Sequence, residues 1–216
     1  MPPLAHFGLI LIYAALICFF WNSAVLYPFR LLIVYVHEMC HGIATILTDG
    51  KTLSIEVSEN ESGLHYGQGG NRIFILCAGY LGTSLFGALL IIASQQVAMI
   101  NIACWMLVAL FLVFLPKSKT LLAALLNIGF CLVLIGAWWF LEGVILPYIV
   151  TFFGVMSSIT SIDHIYSTAI RHEIRGSDAH QTEKVTGIDS RVVGVLWMVI
   201  SIGMMTGAVL FGILTN

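Results

Sequence analysis

The sequence predicts an all-α polytopic membrane protein of about six to seven transmembrane helices, with a short β-hairpin after the second. Three observations predict it. Hydrophobic residues make up 59% of the 216 positions and charged residues only 9%, against about 25% charged in an average soluble domain. Apolar runs of bilayer length recur along the whole chain. Lysines and arginines cluster in alternate loops, as the positive-inside rule requires of a multi-pass protein. A net charge of −2 gives no hint of a nucleic-acid partner, and none is expected.

Apolar spans fall at 6–26, 29–48, 73–94, 97–115, 120–141, 145–170 and 192–214. The first lacks a basic leading region and is followed by further spans, so it reads as a mature helix and not a signal peptide. Ser94-Gln95-Gln96 leaves room for only a tight turn between the third and fourth. With sides alternating, Lys51, Arg72, Lys117, Lys119, Arg171, Arg175, Lys184 and Arg191 share one face, and Arg30 alone lies on the other. The crowded face is then cytoplasmic, with the N-terminus inside and the C-terminus outside. The expected setting is a bilayer such as a bacterial inner membrane. The chain reads as one domain over 1–216, with a core at 29–175, a hairpin loop at 50–72 and a polar cytoplasmic loop at 171–191. Five cysteines lie in apolar stretches with no CxxC pair, which suits reduced, buried thiols.

The second span carries His37-Glu38-Met39-Cys40-His41. On a helix, positions i and i+4 share a face, so both imidazoles can aim at one zinc ion while Glu38 lies beside it as a base for water. Titratable groups at membrane depth are costly unless used. Cys40 projects off the histidine line and reads as a small apolar packing residue.

A catalytic zinc takes a third protein ligand, and the sequence leaves three candidates. Asp163 is the one other carboxylate well inside a span. It precedes Arg171 by eight residues, as His41 precedes Asp49, so both lie about 12 Å from the same face at 1.5 Å per residue. That match favours Asp163. His164 points about 100° away on the helix, and Asp178 belongs to a polar loop.

Thr52 to Ser58 alternates polar and apolar, Glu59 to Gly63 reads as a turn, and Leu64-His65-Tyr66 resumes an extended run. Through Ile55 and Val57 this hairpin is a candidate substrate-binding element, holding an unwound substrate by strand addition. His65 reads as a solvated loop residue. Ala78/Gly82 and Thr83/Gly87 are small-xxx-small pairs that let helices approach. Asn127 is a candidate for stabilising an oxyanion because it is polar and intramembrane. Glu142, near Trp138 and Trp139, is expected at the outer interface.

On His37-Glu38-Met39-Cys40-His41-Gly42, Ala78-Gly79-Tyr80-Leu81-Gly82, the stretch ending at Asp163, and Gly176-Ser177-Asp178-Ala179, the chain resembles the site-2 protease family of intramembrane zinc metalloproteases. The likeness is to its small M50B-like members. The resemblance implies hydrolysis of peptide bonds in or near transmembrane segments of membrane-protein or peptide substrates, with one catalytic zinc. His37 and His41 map to the zinc ligands and Glu38 to the catalytic glutamate. Well-studied members carry Asn-Pro-Asp-Gly or Leu-Asp-Gly at the third ligand, whereas here Asp163 is followed by His164. The competing class is a non-proteolytic metal-binding membrane protein, such as a transporter, an assembly factor or an inactive scaffold. Its function would survive Glu38→Gln.

Overall fold

A computed structural model of the chain describes residues 2–140, 144–171 and 176–214. Glu142 and Arg175 lie outside the described residues. The chain runs through α1 (Pro3–Phe19), α2 (Tyr27–Leu47), β1 (Lys51–Val57), β2 (Gly63–Gln68), α3 (Arg72–Ala93), α4 (Val97–Phe114) and α5 (Leu121–Phe140). It continues with α6 (Leu146–Ile165), a π turn (Tyr166–Ile170), the short α7 (Asp178–Thr186) and α8 (Ser190–Leu214). Six of these helices, α2 to α6 and α8, are long and apolar enough to cross a membrane; α1 is shorter.

α3 stands at the centre, packed on α2, α6 and α8. Its small residues explain the close approach. A Cβ on Gly82 would lie 2.8 Å from Cys40 Cβ of α2, and one on Gly87 would lie 2.7 Å from the Gly154 carbonyl of α6. Serines then bind the seam. Ser157 donates to the Thr83 carbonyl and Ser161 to that of Tyr80, both at 2.8 Å. Ser84 reaches Ser161 at 2.8 Å and Ser201 of α8 at 2.7 Å. In a bilayer such hydrogen bonds and tight packing hold helices together where the hydrophobic effect does not.

The first span differs from expectation. His6 of α1 lies 2.9 Å from Ser94 Oγ, just past α3, and 3.2 Å from Thr151 Oγ1 near the start of α6. Gln95 donates to the Ala208 carbonyl of α8 at 3.4 Å. The amino end of α1 and the carboxyl end of α8 therefore share one end of the bundle, opposite the loops that carry Lys51, Arg72, Lys117 and Arg191. Seven alternating crossings would have put the amino end with those basic loops. The reason is length: α1 stops at Phe19, and the turn that follows brings the Trp21 carbonyl onto the Arg30 guanidinium.

The hairpin folds back along α2 as an antiparallel pair. Thr52 donates to the Gly42 carbonyl at 2.9 Å near one end of α2, and Tyr27 donates to the Glu59 carbonyl at 2.6 Å near the other. Arg30 grips Glu61 with both arms, at 2.8 and 2.7 Å. Arg30→Met should destabilise the fold by about 2 kcal/mol. That is below the ~3–5 kcal/mol of a fully buried pair, because the Glu61 side chain keeps 27% exposure. A chemical unfolding midpoint in detergent checks this, and an unshifted midpoint would remove the clamp from the account.

The outer edge of β1 is occupied at Ile55 and Val57. The Lys119 backbone N–H donates to the Ile55 carbonyl at 2.9 Å, and Thr120 Oγ1 both donates to and accepts from the Val57 backbone. Ile55 and Val57 are themselves buried in the core beside α2. From sequence these two residues are candidates for contacting a substrate; here their side chains face the core. The other edge of β2 runs past the cavity, with the His65 backbone hydrogen-bonded to Glu38.

Candidate metal centre

α2 carries His37 and His41 one turn apart with Glu38 next to His37, and its helical spacing does what the motif requires. The two Nε2 atoms lie 3.1 Å apart. Asp178 Oδ2 lies 3.0 Å from His37 Nε2 and 3.2 Å from His41 Nε2. His37, His41 and Asp178 form the one group among the described residues whose donor atoms converge on a metal-sized space.

That donor set fits zinc. Two imidazole nitrogens and a carboxylate oxygen make a triangle with edges of 3.0, 3.1 and 3.2 Å. Tetrahedral ligands about 2.0–2.1 Å from a zinc ion stand about 3.3 Å apart. His41 Nδ1 lies 2.7 Å from the Ile75 carbonyl, so that nitrogen carries the proton and Nε2 offers its lone pair. Space is made by α3: a Cβ on Gly79 would fall 2.5 Å from His41 Cε1 and 2.6 Å from His37 Cε1. Of the small residues on α3, it is Gly79, rather than Ala78 or Gly82, that faces the imidazoles.

The third carboxylate differs from the one depth favoured. Asp163 and His164 line the same cavity but are not in the converging group; Asp178 is. Equal depth fixes one coordinate of three, and the position around the bundle decides which side chain meets the histidines. Asp178 reaches them because α7 begins at the site. Ala179 is fully buried among Tyr80, Ile165 and Trp197, which docks the first turn of α7 against α3 and α8. Burial pushes the Asp178 carboxyl up, but the charges and hydrogen bonds of His41 and His37 outweigh it and hold the group well below the usual carboxylate range.

Glu38 is 6% exposed and faces the same cavity of about 560 Å³. β2 passes directly over it: a Cβ on Gly63 would overlap the Glu38 carboxylate and Val34. Only glycine allows that approach. His65, two residues on, is no solvated loop residue. It lines the cavity and stacks on His41 at 6.1 Å between ring centroids. Burial and the neighbouring His41 push its pKa down to about 4, so it is neutral at pH 7. Asn127 is elsewhere. It is fully buried on α5, donating to Tyr35 Oη and the Phe111 carbonyl, both at 2.7 Å, and it does not line the cavity.

Together these groups offer three ligand atoms, a buried carboxylate beside them and a strand along one wall. A family model described as Peptidase M50B-like matches residues 10–208. No match is found among curated proteins or among solved structures.

Proposed function

Since the chain belongs to the M50B-like peptidase family, we propose that it is a zinc metalloendopeptidase that hydrolyses peptide bonds in or near transmembrane segments of membrane-protein substrates. The observation that carries this reading is the convergence of Asp178 on His37 and His41, which share with Glu38 a helix long enough to cross a bilayer. Transport or scaffolding needs no base next to the metal. Hydrolysis does.

In this reading His37 and His41 hold the ion through Nε2, and Asp178 supplies the third ligand. Bound zinc supplies a Lewis acid that polarises the scissile carbonyl and lowers the pKa of water toward 7. Glu38 takes the proton from the attacking water as the new C–O bond forms. The same carboxyl returns that proton to the amide nitrogen as the C–N bond breaks, so one residue serves as base and then as acid. Burial under Gly63 keeps competing solvent from Glu38.

A helical substrate hides its carbonyls in its own hydrogen bonds, so it must be unwound before attack. The edge of β2 that borders the cavity suits an unwound chain, because an extended segment added to it would lie beside Glu38. The basic loops mark the cytoplasmic side of the membrane, which sets the site toward that face.

The test is metal content. Wild-type protein should carry one zinc per chain, Asp178→Asn should lose most of it, and Asp163→Asn should keep it. Cleavage of a reconstituted membrane substrate should follow the same order. Full zinc in Asp178→Asn would overturn the ligand assignment.

A further inference from the structure

The two histidines of the centre are held in different ways. His41 is fixed by a backbone carbonyl, that of Ile75. Among the described residues, no such carbonyl bond holds His37. Its ring instead meets the ring of Tyr80, with centroids 4.6 Å apart and planes at 60°. Tyr80 follows Gly79 on α3, so one residue opens space for the imidazoles and the next packs against one of them.

Tyr80 is held in turn. Its ring is 6% exposed and lies 5.7 Å from the Trp197 ring of α8. Its hydroxyl is 3.1 Å from Thr168 Oγ1. Thr168 donates its own proton to the His164 carbonyl at 2.6 Å, so the phenol is the donor in the Tyr80–Thr168 pair. Thr168 sits in the π turn Tyr166–Ile170 that ends α6. Such wide turns are rare and occur often at functional sites.

We propose that Tyr80 is a positioning residue of the metal centre, its ring fixing the His37 imidazole and its hydroxyl, anchored on Thr168, tying that orientation to the π turn of α6. The inference rests on the metal-centre reading above. Outer contacts of this kind set ligand geometry, and removing one costs about 10- to 100-fold in metal affinity. An ordinary core aromatic would behave differently: losing its hydroxyl would lower stability with or without metal and leave metal affinity alone.

Purified full-length protein, stripped of metal and titrated with Co²⁺, separates the two. The visible absorption of tetrahedral Co²⁺ reports both affinity and geometry. Tyr80→Phe and Thr168→Val should each weaken Co²⁺ binding about tenfold and shift the absorption band; Tyr80→Phe leaves Thr168 bonded to the His164 carbonyl, so its metal-free melting should change little. The double variant should bind no more weakly than the weaker single one, because both remove the Tyr80–Thr168 bond. Tyr80→Leu, which removes the ring, should weaken binding about 100-fold; should it fail to fold, the other two variants still decide. Affinity within twofold of wild type in Tyr80→Phe, or losses that add in the double variant, overturn the proposal. Wild-type protein that binds no Co²⁺ would overturn the metal centre itself, an outcome distinct from bound metal indifferent to Tyr80.

Discussion

Glu38→Gln should abolish peptide-bond cleavage while zinc content stays at the wild-type level. The amide matches the carboxylate in size, so the packing under Gly63 and against Val34 survives. What is lost is the lone pair that takes a proton from water and the acid that returns it. A positioned general base contributes about 10²–10⁴-fold, and here one residue serves both proton transfers, so the loss should reach at least about 10³-fold. The three ligand atoms belong to His37, His41 and Asp178, which the substitution does not touch. Metal analysis beside a cleavage assay in proteoliposomes decides it. Normal cleavage by Glu38→Gln would remove Glu38 as the base.

Gly79→Ala should cost zinc before it costs the fold. The added methyl would sit 2.5–2.6 Å from carbon atoms of both imidazoles, well inside contact distance. α3 cannot step back to relieve this. On its far side Gly87 is pressed on Gly154 of α6, and the serine seam holds α3 to α6 and α8. The imidazoles must turn instead, which breaks the triangle of donor atoms. Zinc affinity should fall by about 100-fold or more, at the upper end of what disturbed ligand orientation costs. Stability of the metal-free protein should change little. An overpacking penalty of about 1–3 kcal/mol is offset by about 1 kcal/mol of helix propensity gained over glycine. Competition against a chelator of known affinity measures the first quantity and thermal unfolding the second. Wild-type zinc affinity in this variant would show that α3 does not confine the histidines.

The parts of this molecule that sequence can reveal are those set by local periodicity. Six crossing helices follow from runs of apolar residues, and the hairpin follows from alternation at 52–58 and a turn at 59–63. His37 and His41 share a face because they lie one helical turn apart, and Glu38 follows His37 beside them. The failures are all long-range. Asp163 matches His41 in depth, but Asp178 is carried to the histidines by an α7 that docks through Ala179. Ile55 and Val57 look available because nothing local reveals that residues 118–120 fill the outer edge of β1. α1 reads as a seventh crossing, yet His6 sits beside Ser94 and Thr151, residues far along the chain that no pattern within the first span could indicate. Gly79 is hidden among equivalent small residues, since only the position of α2 tells which of them faces an imidazole.

The chain distance between the donors has a mechanical consequence. His37 and Asp178 are 141 positions apart, so an ion held by both fastens a membrane helix to a nine-residue segment at its surface. Gly176 and Gly187, on either side of that segment, adopt left-handed backbone angles, and α7 is otherwise docked through Ala179. A cation bound there would be a rivet as well as a reagent. Withdrawing it would first loosen α7, while the serine-bonded helices behind it stay assembled.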